Sequence, residues 1–168
     1  MSCKIIPHPK NYTERKGFLE IKPEYLIETN DFDREIHAFS ELFDKTHGRF
    51  FSAGENGIEI RVDKTLNQNA YKIEALKKCI VTVSSGEGLG YALSSLLALS
   101  EKSENGIKIQ KCILEDAPEC PWRCLMLDLA RKWHPVPFIY RYIDLCYLLK
   151  INYLQLHFTD DESYTLPS

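Results

Sequence analysis

Four side chains able to do chemistry lie close together near the end of the sequence: Arg131, His157, Asp160 and Asp161. Arg131 follows the apolar run Cys124-Leu125-Met126-Leu127-Asp128-Leu129. His157 ends the run Asn152-Tyr153-Leu154-Gln155-Leu156-His157-Phe158, and the two aspartates come just after it. A guanidinium offers fixed donors to hydroxyl or carboxylate oxygens. An aspartate can accept hydrogen bonds from a hydroxyl or hold a neighbouring group in place. A plain Arg131–Asp160 ion pair fits the same spacing equally well.

The elements between these residues explain why they belong together. Residues 124–129 form a near-continuous apolar run, the pattern of a strand buried on both faces. Pro135 and Pro137 bracket a helix start, where proline is tolerated. Phe138, Ile139, Tyr142, Ile143, Cys146, Leu148 and Leu149 give that helix its apolar positions, and Lys150 closes its last turn. A second strand follows over 152–158. Strand, helix and strand predict a βαβ unit with a right-handed crossover. In parallel α/β structures, functional groups collect beyond the C-terminal ends of the strands. Arg131 and Asp160 should therefore share one rim.

The preceding residues contain no comparable grouping. Lys4 to Lys10 should be extended, and Gly17 to Ile21 alternates as a strand. A helix opening at Asp31, with Glu35 in its first turn, carries Ile36, Phe39, Leu42 and Phe43 on one face and stops at Gly48. Strands are expected at 57–62, 71–74, 79–83 and 107–114, with a helix from about Gly90 to Ser100. The glycines of Gly86-Glu87-Gly88-Leu89-Gly90 match neither the dinucleotide nor the P-loop spacing, so a strand-to-helix turn is the better reading. His8, His37 and His47 have no partners in the pattern. These elements predict an α+β fold: a mostly antiparallel sheet with helices on one face, followed by the βαβ unit. Pro118 and Pro121 mark the boundary, giving one unit over 1–115 and another over 116–168.

The totals exclude several function classes. The 168 residues carry net charge −3 with a pI near 6.0, which argues against nucleic acid or an anionic membrane as partner. No apolar run approaches the ~20 residues of a membrane span, and no secretory leader is visible at Met1, so a cytoplasmic location is expected. The six cysteines sit mostly in apolar strand or helix patterns and read as buried free thiols. Cys120 and Cys124 lack the second pair a zinc site needs, so no metal is expected.

A family resemblance rests on three ordered motifs. Pro121-Trp122-Arg123-Cys124-Leu125-Met126-Leu127-Asp128-Leu129-Ala130-Arg131 resembles the P-W-R-G-L-M-L-D-x-A-R pattern of family 20 glycoside hydrolases, the β-N-acetylhexosaminidases. Tyr142-Ile143-Asp144 and Lys150-Ile151-Asn152 resemble the following helix and its exit. Leu156-His157-Phe158-Thr159-Asp160-Asp161 resembles the H-x-x-D-D of the second barrel strand. Residues 1–115 resemble the family's N-terminal α/β domain more weakly, through Ile5-Ile6-Pro7, Tyr71-Lys72-Ile73-Glu74 and Gly90-Tyr91-Ala92-Leu93. Cys124 stands in place of a glycine, Lys132-Trp133-His134 in place of R-H-F, and Glu162 to Leu166 lack the G-W-R of many members.

The resemblance implies that 116–168 begin a (β/α)₈ barrel that removes terminal N-acetylhexosamine from β-linked glycans with retention. The implied mechanism is substrate-assisted, with the substrate's acetamido oxygen as nucleophile, unlike the two-carboxylate scheme of most glycosidases. Arg131 would bind the 3- and 4-hydroxyls of the terminal sugar. Asp160 would belong to a polar relay supporting the acid, with His157 and Asp161 behind it. The Asp-Glu pair that does the chemistry would follow the fourth strand, beyond Ser168. The 168 residues alone are therefore expected to be inactive and to self-associate through exposed barrel strands. No cofactor is implied. The competing expectation is a non-catalytic glycan- or protein-binding α/β module with Tyr12, Tyr25 and Phe50-Phe51 as exposed aromatic platforms.

Overall fold

The computed structural model describes residues 3–21, 27–28, 32–48, 57–104 and 106–165. The chain divides into two compact units, Met1–Glu119 and Cys120–Ser168. The first contains β1 (Asn11–Ile21), β2 (Ile27–Glu28), α1 (Asp33–His47), β3 (Ile58–Val62), β4 (Tyr71–Ala75), β5 (Cys79–Val83), α2 (Gly86–Leu99), β6 (Ser100–Ser103) and β7 (Gly106–Asp116). Their sheet has the order β1-β7-β4-β5-β3-β2, with β6 beside β7. It is mostly antiparallel; only β3 runs parallel to its neighbours β2 and β5.

Alternation in β4 and β5 decides which face is covered. Tyr71, Ile73 and Ala75 lie opposite Val83, Val81 and Cys79, and all six are buried. Helix α2 packs on β4 and β5, and α1 packs on α2. The other face carries Lys72, which lies 3.4 Å from Glu74 and 3.8 Å from Glu115. Such half-exposed pairs keep that face solvated and add little stability. Leu89, Leu93 and Leu96 of α2 are almost wholly buried, each contributing roughly 1.5–3 kcal/mol of burial.

Three boundaries differ from expectation. Helix α2 begins at Gly86, not near Gly90: the Ser85 side chain caps it by accepting the Gly88 N–H at 3.1 Å. A Cβ on Gly88 would stand 3.0 Å from the Ala70 carbonyl oxygen, so close backbone approach explains a glycine there. Strand β6 was not expected, because Ser100-Glu101-Lys102-Ser103 has no apolar alternation; it is held by pairing with β7. Strand β1 starts at Asn11 and bulges between Glu14 and Phe18, where Gln110 donates to the carbonyls of Arg15 and Gly17 at 2.7 and 3.1 Å. In α1, Phe39, Leu42 and Phe43 are buried and Gly48 ends the helix by donating to the Asp44 carbonyl. Asp31, expected as its cap, lies outside the described residues; Phe32 precedes the helix at φ 97°.

The second unit contains β8 (Cys124–Asp128), α3 (Val136–Leu148), β9 (Tyr153–His157), β10 (Thr159–Asp160) and β11 (Ser163–Tyr164). Strands β8 and β9 are parallel, in register from Cys124 opposite Tyr153 to Asp128 opposite His157. Pro135 caps α3 in extended conformation, and Pro137 falls in its first turn. At the start of the strands, Asn152 accepts the Arg123 N–H and donates to the Pro121 carbonyl, while Arg123 Nε donates to the Lys150 carbonyl at 2.8 Å. The expectation of a strand buried on both faces holds for Leu127 but not for Cys124 or Met126, which are exposed. Among the described residues β8 and β9 pair only with each other, which leaves those side chains uncovered.

Candidate functional site

The site is built where β8 and β9 end. The backbone N–H groups of Leu129 and Ala130 both donate to the His157 carbonyl, at 2.9 and 3.0 Å. This carries the first strand's pairing one step past its end and turns the chain so that Arg131 leaves at the rim. Asp128 fixes that turn by accepting the Arg131 N–H at 3.0 Å, the local side-chain-to-backbone bond that aspartate makes readily.

From the other strand, β10 and β11 form a tight hairpin with Asp160 opposite Ser163. The hairpin places the Asp160 carboxylate against Arg131: Arg131 Nε donates to Asp160 Oδ2, and the Asp161 N–H donates to Asp160 Oδ1 at 2.8 Å. The Thr165 hydroxyl, just past the hairpin, lies 3.0 Å from the carbonyls of both Leu129 and Phe158 and shares its one proton between them, and the Thr165 N–H donates to the Phe158 carbonyl as well.

The Arg131 guanidinium hydrogen bond, helped by the Asp161 N–H, holds the Asp160 carboxyl below its ordinary range. The same contact raises the arginine. Arg131 remains 74% exposed, so solvent screens the pair and it serves as a geometric contact more than a stabilising one. Nε engages Asp160, and a guanidinium has five N–H donors, so donors remain for ligand oxygens. Arg131, Asp160, Asp161, Glu162 and Ser163 line a depression of about 510 Å³. One cation among three carboxylates does not suit an anion; it suits a neutral ligand rich in hydroxyls, each able both to donate and to accept.

Of the four residues singled out in the sequence, Arg131, Asp160 and Asp161 come together. His157 contributes its backbone carbonyl, and its half-buried ring is not part of the lining. Asp128, Glu162, Ser163 and Thr165 were missed. The Asp128-x-x-Arg131 spacing was a readable signal; Thr165 had none, because its role depends on a hairpin of two-residue strands. Among the described residues, no group of three or more His, Cys, Asp or Glu could hold a metal, and no helix is long and apolar enough to cross a membrane. Of the aromatic platforms considered, Tyr12 is half-buried and its burial pushes the phenol up to about 12. Tyr25, Phe50 and Phe51 lie outside the described residues.

Residues 2–117 match the family model "Glycosyl hydrolase family 20, domain 2", and residues 120–168 match "Glycosyl hydrolase family 20, catalytic domain". The chain belongs to glycosyl hydrolase family 20. Among family 20 relatives, a β-hexosaminidase of Vibrio furnissii is 32% identical over 67% of this chain and 19% of its own length. The N,N'-diacetylchitobiase of Vibrio harveyi is 25% identical over 99% of this chain and 19% of its own length. The chain thus spans about a fifth of these relatives. The structure of a family 20 exo-β-N-acetylglucosaminidase from Vibrio harveyi, in complex with N-acetylglucosamine, matches with TM-score 0.86 and 25% identity over 96% of this chain and 26% of its own. A β-N-acetylhexosaminidase from Bacteroides fragilis matches with TM-score 0.77 and 27% identity, over 94% and 34% respectively.

Proposed function

We propose that this chain is the N-terminal part of a retaining, substrate-assisted β-N-acetylhexosaminidase acting on the non-reducing ends of β-linked glycans. The observation that carries the reading is the convergence of Arg131 and Asp160 at the C-terminal ends of adjacent parallel strands. There the guanidinium's outer edge can donate to two vicinal sugar hydroxyls, as the family resemblance assigns, while Asp160 holds its inner edge. Asp160 stays ionised well below neutrality because Arg131 and the Asp161 N–H stabilise the carboxylate. An ionised Asp160 accepts from Arg131 and can support a proton relay to an acid outside this sequence. The names of the Vibrio and Bacteroides relatives support N-acetylhexosamine as the terminal sugar.

The test has two arms, both using an aryl N-acetyl-β-glucosaminide. The 168-residue chain is expected to give background hydrolysis, because the Asp-Glu pair the resemblance assigns to catalysis lies outside it. A chimera in which residues 1–168 replace the matching segment of the Vibrio harveyi enzyme is expected to turn over. In that chimera Arg131→Ala should lower kcat/KM by about 10²-fold or more, the scale of two charge-assisted hydrogen bonds. Turnover by the chain alone, or an Arg131→Ala chimera as active as its parent, would refute the proposal.

A further inference from the structure

We infer that the Thr165 hydroxyl is the positioning residue that sets the Arg131–Asp160 geometry, by clamping the end of β8 to the chain that follows β9. The inference rests on the reading of Arg131 and Asp160 as the sugar-binding pair, and assigns a residue on which that pair depends.

Arg131 and Asp160 sit on separate strand exits. The first is carried by residues 129–131 after β8; the second lies on the β10–β11 hairpin after β9. Their direct contact does not by itself fix the distance, since the exposed Arg131 side chain in a screened ion pair can take other arrangements. The rigid link must come from groups further in. His157 supplies half of it through the Leu129 and Ala130 N–H groups. That link ends at residue 157, and Asp160 lies beyond it.

Thr165 supplies the other half. Its N–H donates to the Phe158 carbonyl at 3.2 Å and closes the hairpin's base. Its hydroxyl lies 3.0 Å from that same carbonyl and 3.0 Å from the carbonyl of Leu129. The Leu129 carbonyl belongs to the segment that leads directly to Arg131; the Phe158 carbonyl belongs to the segment that leads to Asp160. One half-buried hydroxyl therefore spans both exits. Threonine suits this task, because branching at Cβ restricts χ1 and keeps the hydroxyl in one place.

The test is nuclear magnetic resonance on the 168-residue chain. In the wild type, three-bond couplings at Thr165 are expected to report a single χ1 rotamer; rotamer averaging there overturns the inference without any variant. Thr165→Val keeps the shape and removes the donor. It should speed exchange of the Arg131 Nε–H by about fivefold, the ratio one ordinary net hydrogen bond carries, and raise the Asp160 titration midpoint towards that of a free carboxylate. Thr165→Ser should restore both. A folded Thr165→Val chain with unchanged Arg131 and Asp160 signals, or a serine variant that behaves like valine, overturns it. No sugar enters these readouts, so they are independent of the hydrolysis assays that test the sugar-binding reading.

Discussion

Replacing Tyr71 by phenylalanine removes one oxygen from the centre of the first unit. Tyr71 is 2% exposed; its hydroxyl lies 2.8 Å from Ser95 Oγ and donates to Asp116 Oδ2 at 2.9 Å. A hydrogen bond to a charged acceptor contributes about 1.5–3 kcal/mol net. Two features reduce the loss. Asp116 is half-buried and can recover water, and Ser95 keeps its bond to the Tyr91 carbonyl. The variant should lose ~1.5 kcal/mol, which lowers Tm by roughly 5–10 °C in a unit of this size. Burial also raises the Tyr71 phenol well above its ordinary value. A raised folded pKa means that the unfolded chain ionises first. The contribution is fully present below about pH 10, then falls by about 1.4 kcal/mol per pH unit as pH rises towards the folded value. The gap between wild type and variant should therefore close about one unit above pH 10. Urea unfolding followed by circular dichroism, repeated from pH 8 to pH 11 (about two units below to one above the free phenol), measures both effects. A gap below about 0.5 kcal/mol at pH 8, or one that does not change with pH, refutes the reasoning.

The three glycines of α2 should respond differently to alanine. Gly88→Ala places a Cβ 3.0 Å from the Ala70 carbonyl oxygen, so it should cost ~1 kcal/mol or more despite the gain in helix propensity; the nearest atoms to a Cβ on Gly86 belong to the Glu35 and Phe32 side chains, and Glu35 can turn away, leaving Gly86→Ala near neutral. Nothing lies within 4 Å of a Cβ on Gly90, so Gly90→Ala should stabilise by ~0.5–1 kcal/mol in the same unfolding assay. A thiol reagent at neutral pH should label the exposed Cys120 and Cys124 quickly and Cys79 and Cys112 only on unfolding, since burial pushes those two thiols up to about 12 and 11; peptide mass mapping of the labelled sites decides it. The uncovered β8–β9 pair, with Met126 55% and Trp122 61% exposed and Trp122 stacked on Tyr153 at 4.0 Å, should make the chain self-associate. Light scattering over a concentration series should show a rising mass, and a strict monomer at every concentration would count against it.

Alternation over 57–62 and 71–74 and the β-branched apolar run 79–83 were enough to place three strands, because side chains of a strand alternate between the two faces of a sheet and β-branched residues suit it. The apolar run at 124–129, Pro135 and Pro137 bracketing the start of α3, and the run at 152–158 likewise announced the βαβ unit. The rim position of Arg131 and Asp160 then followed from strand direction alone. Other features were decided only in three dimensions. Ser100 to Ser103 has no strand signal of its own and takes its conformation from β7, because ladder hydrogen bonds form with any side chain. The start of α2 at Gly86 is set where the folded chain brings the Ser85 hydroxyl onto the Gly88 N–H. The distances within the site belong to the same class. Asp128, Thr165 and the His157 carbonyl hold Arg131 and Asp160 in place through backbone groups. Apart from the Asp128-x-x-Arg131 spacing, sequence cannot mark these bonds, because every residue carries the backbone groups they engage; only the folded chain selects which are brought within hydrogen-bond reach.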